Sequence, residues 1–237
     1  MLDMDMSSGL RRAALFDLDG VLVDTEPAYT AFWRRVGELY FPHERGFAER
    51  LKGHTLTDIF ARYFPHDAAG RQGVERMLRE LEQTMDYPLM DGCMEVVTRL
   101  RSEGWKTAVV TSSDRAKMAH LYRAHPLLPS LFDAVIMAED VKNSKPAPEG
   151  YLLAAERLGC PAEDCVVFED SQSGLQAARA SGAWVVGLTT SLSGELIAPL
   201  ADWVIDGWAD LSSSSLCREL RLGRSKGALR GGGDIII

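Results

Sequence analysis

The chain has 237 residues, of which 46% are hydrophobic and 25% charged, values that are ordinary for a folded protein and argue against wholesale disorder. Its 34 acidic residues outnumber the 26 basic ones, so the formal charge is −8 and the chain lacks the basic field of a non-specific nucleic-acid binder. The four cysteines form no Cys-x-x-Cys pair, and no apolar run approaches the roughly 18–20 residues that cross a bilayer. We therefore expect a cytoplasmic monomer with no nucleic-acid or membrane partner.

Short apolar runs alternate with helical patterns along most of the chain. The runs are Ala13–Phe16, Thr107–Val110, Ala134–Met137, Cys165–Phe168, Trp184–Leu188 and Trp203–Ile205. They are too short for helices, and most are rich in β-branched or aromatic residues, which is typical of strands buried on both faces of a parallel sheet. Apolar stripes that are each followed by a glycine predict helices at Met94–Arg101, Glu149–Leu158 and Ser173–Ser181. The alternation predicts an α/β fold with a doubly wound parallel sheet.

One stretch breaks this alternation. Between residues 28 and 88 the sequence shows helical patterns and no convincing strand, over roughly 60 residues, which is more than an ordinary strand–helix connection. We interpret residues 28–88 as a separate helical domain, inserted into a core formed by residues 12–27 and 89–211. Residues 212–237 contain a serine run and a glycine run, and we expect a loop-like, partly disordered C-terminal tail.

Two aspartates follow the first predicted strand. Asp17 directly follows the run Ala13–Phe16, and after one further residue come Asp19 and Gly20. In open α/β sheets, ligands bind in the crevice beyond the carboxyl ends of the strands. The same residue types are common in turns, so this motif alone leaves a ligand site and a plain turn equally open.

A second acidic pair, Glu169 and Asp170, directly follows the predicted strand Cys165–Phe168. Alone, Asp170 is explained more simply as a helix cap. With Asp17 and Asp19, however, the pair would place up to four carboxylates in one crevice, and so many anions need a cation between them. Hard oxygen ligands suit Mg²⁺, so the two motifs together predict a magnesium site.

Hydroxyl groups and a lysine follow two further strands. Thr111, Ser112 and Ser113 precede a helix that is predicted to begin near Asp114, and hydroxyl and N–H groups at a helix N-terminus bind phosphate. Lys145 lies in a proline-stiffened loop, where its ammonium group can neutralise a phosphate. A plain helix cap and a surface lysine are the alternatives. Because all four motifs fall at one edge of the predicted sheet, a phosphate site is favoured, with Ser112 and Ser113 as candidate substrate-binding residues.

The ordered set FDLDGVLVDTE, VVTSS, KPAPE and FEDSQSG resembles the haloacid dehalogenase superfamily of phosphotransferases. The resemblance covers residues 12–210 and is greatest to the branch with a helical cap after the first strand, which includes β-phosphoglucomutase and many sugar-phosphate phosphatases. It implies a Rossmann-like core, an inserted helical cap domain and an enzyme that uses Mg²⁺.

The resemblance implies a role for each matching residue. Asp17 would be the nucleophile that forms an aspartyl phosphate, and Asp19 would protonate the leaving oxygen and then activate water. Thr111 and Lys145 would hold the phosphoryl group. Because the haloacid-hydrolysing branch needs no second aspartate and no metal, Asp19 favours phosphoryl transfer over dehalogenation.

The resemblance also implies a ligand set for the metal. Mg²⁺ would be bound by Asp17, Asp19 through its backbone carbonyl, Glu169 and Asp170. The attack of a carboxylate on a phosphate dianion meets charge repulsion, which a cation, a lysine and amide groups at the site would offset.

The segment Leu51–Asp58 resembles the loop that the cap lowers over the active site in this family. Lys52, Gly53, His54 and Thr55 are therefore candidates to contact the leaving group. A solvated loop between helices is an equally open interpretation of the same four residues.

We predict a Mg²⁺-dependent phosphatase of a small phosphorylated metabolite, with a sugar phosphate as the expected substrate. A β-phosphoglucomutase-like enzyme is the alternative. The mutases carry a histidine shortly after the first motif, where this chain has Tyr29, and an arginine in the cap loop, where Leu56 or its neighbours stand. A non-catalytic binding protein on the same fold is a third alternative, which the complete motif set opposes.

Overall fold

The structure is a computed structural model that describes residues 13–51 and 56–211. Its strands are β1 (Ala13–Phe16), β2 (Lys106–Val110), β3 (Ala134–Ile136), β4 (Cys165–Glu169), β5 (Trp184–Leu188) and β6 (Trp203–Ile205). All pairs are parallel, and the strand order is β3-β2-β1-β4-β5-β6. The chain thus winds from β1 towards one edge and then from β4 towards the other, which confirms the doubly wound sheet.

The predicted strand boundaries agree with the structure to within one residue. Three of the strands match at both ends, whereas β2 begins one residue earlier, at Lys106, and β3 ends one residue earlier, at Ile136. The informative difference is β4, which extends by one residue to include Glu169 in register with Gly187. A charged residue therefore occupies a fully buried strand position, which an apolar run cannot indicate.

Four helices follow β1: α1 (Glu26–Tyr40), α2 (Phe47–Leu51), α3 (Leu56–Tyr63) and α4 (Ala68–Thr84). They share a hydrophobic cluster of their own, centred on Phe32, Val36, Phe60 and Val74. Leu39 follows Phe32 by seven residues, a spacing typical of one buried helix stripe, yet Leu39 is 50% exposed. The division into a cap at 28–88 and a core at 12–27 and 89–211 stays a prediction, and the expected tail at 212–237 lies outside the described residues.

The remaining helices are α5 (Cys93–Ser102), α6 (Arg115–Ala124), α7 (Glu149–Leu158), α8 (Gln172–Ser181) and the short α9 (Gly194–Ile197). Buried residues of α5 and α6 pack with one face of the sheet, and those of α7, α8 and α9 pack with the other. The predicted bounds of α7 match the structure, while α5 and α8 are slightly longer than predicted. Among the described residues, no helix is long and apolar enough to span a bilayer.

Leu100 of α5 offers a test of this packing. Its side chain is fully buried in the cluster on the α5–α6 face, so Leu100→Ala should lower the free energy of unfolding by about 2–5 kcal/mol. Leu127→Ala is the matched control, because Leu127 is 79% exposed and should shift the unfolding midpoint little. Chemical denaturation of both variants measures the difference, and equal effects would contradict the observed core.

Candidate active site

The predicted site residues meet at the carboxyl edge of the sheet. A cavity of about 380 Å³ lies there. Its lining includes Asp17, Asp19, Thr111, Ser112, Lys145 and Asp170. These residues come from the loops that follow β1, β2, β3 and β4, so the parallel sheet brings together motifs that are far apart in the sequence.

A buried ion-pair cluster forms the floor of this cavity. Lys145 Nζ lies 2.6 Å from Asp17 Oδ1 and 2.6 Å from Glu169 Oε1, and it also donates to the carbonyl oxygen of Val110 at 3.1 Å. Burial raises the pKa of Asp17 to about 7, because it outweighs the favourable charge of Lys145. Burial opposes the charge of Lys145 as well, but the two carboxylates outweigh it and raise the pKa of this lysine well above its usual value.

Glu169 holds this cluster together. Its Oε1 accepts hydrogen bonds from Lys145 and from the hydroxyl of Tyr151 at 2.9 Å. Its Oε2 accepts from the amides of Asp170 and Ser171 and from the Ser171 hydroxyl, at 2.9–3.1 Å. Five donors exceed the roughly four lone-pair sites of one carboxylate, so its acceptor capacity is fully used, and these contacts orient Lys145 and the turn after β4.

The carboxylate of Asp170 has one oxygen bound and one free. Its Oδ2 accepts from the Ser191 hydroxyl, whereas its buried Oδ1 has no hydrogen-bond partner among the described residues. Burial, and then the nearby Glu169 and Asp17, raise the pKa of Asp170 well above its usual value. Each of these three acids offers one carboxylate oxygen within 4.8 Å of the others. A divalent cation fits this arrangement, because it would supply a partner for Oδ1 and offset the repulsion.

The carboxylate of Asp19 does not join that group. Its two oxygens lie 2.7 Å from Lys117 Nζ, and they also accept from Thr25 Oγ1 at 2.7 Å and Ser113 Oγ at 3.1 Å. Burial disfavours the charged form of Asp19, but Lys117 and the two hydroxyls outweigh this effect and lower its pKa. The sequence predicts up to four clustered carboxylates, and among the described residues three are clustered. For Asp19, the ligand that the resemblance implies is its backbone carbonyl and not its carboxylate.

The residues after β2, from Thr111 to Asp114, contribute both to the start of α6 and to the cavity. Asp114 caps α6 by accepting from the amide of Lys117 at 2.8 Å, which confirms the helix start that the sequence predicts. Thr111 Oγ1 accepts from the amide of Ser113 at 3.0 Å, while Ser112 is exposed at the cavity. Since Asp114 supplies the cap, the hydroxyls of Thr111 and Ser112 remain available to the cavity, whereas the hydroxyl of Ser113 donates to Asp19.

A second cavity, of about 580 Å³, adjoins the first and shares Asp19, Leu56 and Ser112 with it. Residues of α1 and α4 face it, including Tyr29, whose hydroxyl donates to Glu82 Oε1 at 3.1 Å. Burial raises the pKa of Tyr29 far above its usual value, so this side chain is a poor proton donor at neutral pH.

Several contributors to the two cavities carry no sequence motif. Lys117 and Tyr151 reach the site from the first turns of α6 and α7, and Thr190 and Ser191 reach it from the turn after β5. Arg79 lies on the exposed side of α4 and lines the second cavity, although no arginine occurs in the predicted cap loop. The loop candidates Lys52, Gly53, His54 and Thr55 lie outside the described residues.

Comparison with known proteins agrees with this geometry. The chain is 35% identical over 177 residues to a phosphorylated carbohydrates phosphatase of Thermotoga maritima, covering 72% of this chain and 81% of the relative. It is 33% identical over 172 residues to the fructose-1-phosphate phosphatase YqaB of Escherichia coli, covering 71% and 91%. The crystal structure of CbbY from Rhodobacter sphaeroides in complex with phosphate superimposes with a TM-score of 0.71 at 25% identity, covering 88% of this chain and all of that one.

The family model that matches residues 11–182 describes haloacid dehalogenase-like hydrolases. The matched segment contains every motif that brings a residue to the acidic cluster, from Asp17 to Asp170. Together, the fold, the cluster and the relatives identify the chain as a member of the haloacid dehalogenase-like hydrolase family.

Proposed function

We propose that this hydrolase is a phosphatase that releases orthophosphate from a small phosphorylated metabolite, with a sugar phosphate as substrate and Mg²⁺ as cofactor. The observation that carries the proposal is the pairing of Asp17 with Lys145 at 2.6 Å beside the free Oδ1 of Asp170. A nucleophile, a fixed cation and a metal-facing carboxylate then meet in one cavity. The two phosphatase relatives, named for carbohydrate phosphates and for fructose 1-phosphate, support the substrate class.

In the proposed first step, an Asp17 carboxylate oxygen forms a bond to phosphorus while the bond from phosphorus to the leaving oxygen breaks. The product is an aspartyl phosphate on Asp17 and an alcohol that must gain a proton. Lys145 holds a phosphoryl oxygen, and the Thr111 hydroxyl is placed to hold another. Mg²⁺ held by Asp17, Asp170 and the Asp19 carbonyl would supply Lewis-acid stabilisation of the phosphoryl charge. Glu169, the fourth predicted ligand, has both carboxylate oxygens engaged in hydrogen bonds.

Asp19 is the proposed proton carrier in both steps. It gives a proton to the leaving oxygen and then takes one from the water that attacks the aspartyl phosphate, so that orthophosphate leaves and Asp17 is regenerated. The contacts with Lys117, Thr25 and Ser113 favour the ionised form of Asp19, which suits proton acceptance in the second step and opposes proton donation in the first. We also keep the monomeric state and the cytoplasmic location as predictions from the sequence.

A screen for phosphate release tests this proposal. The purified chain is assayed with Mg²⁺ over sugar phosphates, polyol phosphates, nucleotides and p-nitrophenyl phosphate. We expect orthophosphate release from several of them, with the sugar and polyol phosphates preferred. Release from none of these compounds would contradict the phosphatase assignment.

A phosphomutase is the second candidate, and Arg79 is the observation that favours it. A mutase must grip a second phosphate while it excludes water, and a guanidinium does so in bidentate fashion. Arg79 makes no ion pair among the described residues and lines the cavity next to Asp19. Because Tyr29 stands where the mutases carry a histidine, and Leu56 or its neighbours where they carry an arginine, hydrolysis remains the favoured reaction.

We predict that orthophosphate release is faster than the conversion of β-glucose 1-phosphate to glucose 6-phosphate. Coupled assays of both products measure this ratio. Faster isomerisation, stimulated by catalytic glucose 1,6-bisphosphate, would establish the mutase instead. In that case Arg79→Gln should raise the KM for the bisphosphate, whereas Arg76→Gln, an exposed arginine of the same helix, should not.

A further prediction concerns the candidate cap loop, Leu51–Asp58. Lys52→Ala and His54→Ala should change the preference among sugar phosphates more than they change turnover of p-nitrophenyl phosphate, which the core residues alone can hold. Steady-state kcat/KM over the substrate panel measures this effect. Equal losses for all substrates would show that the loop does not contact the leaving group.

A further inference from the structure

We propose that Ser191 is a positioning residue of the metal site, which holds Asp170 so that one carboxylate oxygen stays available to a divalent cation. This inference rests on the proposed metal-dependent function. Ser191 lies in the turn after β5, outside the four motifs of the family resemblance. It also lies beyond the segment matched by the family model, which ends at residue 182.

The two oxygens of Asp170 have different surroundings. Ser191 Oγ donates a hydrogen bond to Oδ2, and Oδ1 is buried without a partner among the described residues. The whole residue is only 2% exposed, so bulk water has little access to this oxygen. A carboxylate that is fixed through one oxygen presents the other in a defined direction, and groups that orient ligands in this way raise metal affinity.

Thr190 ties the same turn to the loop after β1. Its hydroxyl lies 2.6 Å from the carbonyl oxygen of Gly20, to which it donates, and 3.4 Å from Asp170 Oδ2. Gly20 has a φ of +78°, and a Cβ there would overlap Asp170 Oδ2. The close approach of the two loops thus requires glycine at this position. Three loops, after β1, β4 and β5, are joined around the Asp170 carboxylate, and Ser191 makes the closer of the two hydroxyl contacts with it.

The test measures metal binding without substrate. Mg²⁺ is titrated into the purified full chain by calorimetry, and the Mg²⁺-dependent rise in melting temperature is recorded as a second readout. Ser191→Ala should weaken the Mg²⁺ Kd by about 10- to 100-fold, the usual effect of removing a group that orients a metal ligand. Ser191→Thr keeps the hydroxyl and should bind Mg²⁺ nearly as tightly as the parent chain.

Thr189→Val is the matched control. Thr189 belongs to the same turn, but its hydroxyl donates to Asp206 Oδ1 at 2.9 Å on the exposed side, so its loss should leave the Mg²⁺ Kd unchanged. Melting temperatures in EDTA show that each variant is folded. If Ser191→Ala does not fold, Ser191→Cys, which has nearly the same shape and a weaker donor, should show the same direction of change.

An unchanged Kd in a folded Ser191 variant, or an equal loss in Thr189→Val, would overturn the positioning role. The metal-dependent function itself would be overturned if the parent chain showed no heat of Mg²⁺ binding and no thermal shift, yet hydrolysed p-nitrophenyl phosphate in EDTA.

Discussion

Asp17→Asn should lower kcat by at least about 10³-fold, the scale seen when other covalent nucleophiles are removed. The amide keeps the shape of the side chain but has no charged oxygen to attack phosphorus. Asp17 is buried and lies 2.6 Å from Lys145, so the change also removes one half of the ion pair at the floor of the cavity. Steady-state release of orthophosphate from the best substrate of the screen measures the effect.

Asp24→Asn is the control for this substitution. Asp24 belongs to the same motif and undergoes the same chemical change, but it does not line the cavity. Its turnover should stay within a few-fold of the parent chain. Near-normal turnover in Asp17→Asn would rule out nucleophilic catalysis by this residue, and a large loss in both variants would indicate damage to the loop instead.

Removal of the metal should have an effect of similar size. EDTA should abolish phosphate release and excess Mg²⁺ should restore it, because without a cation three buried carboxylates face the incoming phosphate. Asp170→Ala removes the carboxylate whose Oδ1 has no protein partner, so we expect either loss of activity or a much higher Mg²⁺ requirement. Full activity in metal-free buffer would contradict the cation site.

The Mg²⁺ dependence should be measured for both proteins at equal substrate concentration. The restored activity of the parent chain then shows that EDTA acts by chelation. A parent-like Mg²⁺ dependence in Asp170→Ala would place the cation on other residues.

The strands were predictable because each is a short apolar run with polar residues at its ends. The apolar pattern missed the strand residues Lys106 and Glu169, because both are charged. Glu169 can occupy a buried strand position because five hydrogen bonds and the charge of Lys145 compensate for its burial. Two of the donors, Lys145 and Tyr151, lie 24 and 18 residues away in the sequence, so no local pattern reveals their contacts.

Helix faces were predicted less accurately than helix positions. Tyr151 and Leu152 both belong to the apolar pattern that predicts α7, but Leu152 is 44% exposed whereas Tyr151 is buried against the sheet. Tyr151 also makes a polar contact that an apolar pattern does not reveal, since its hydroxyl donates to Glu169. Periodicity indicates which side of a helix is buried but not which hydroxyl has a partner there.

The site residues that lie in the four motifs were predictable, and those that support them were not. Asp17 and Asp170 stand directly after strands, and Lys145 lies in the loop that follows β3, where the fold class itself places ligands. Lys117 gave no signal because it follows its motif by a full helical turn, and its contact with Asp19 depends on how α6 packs against the loop after β1. Ser191 likewise depends on the neighbouring positions of β4 and β5 in the sheet.

Trapping of the covalent intermediate tests the proposed chemistry most directly. The chain is mixed with a preferred substrate that carries a labelled phosphoryl group, quenched in acid within one turnover, digested and analysed by mass spectrometry. We expect the label, as one added phosphoryl group, on the peptide that contains Asp17 and at that residue. The Asp17→Asn variant should carry no label. Turnover without any labelled peptide, or a label on a different residue, would contradict nucleophilic catalysis by Asp17.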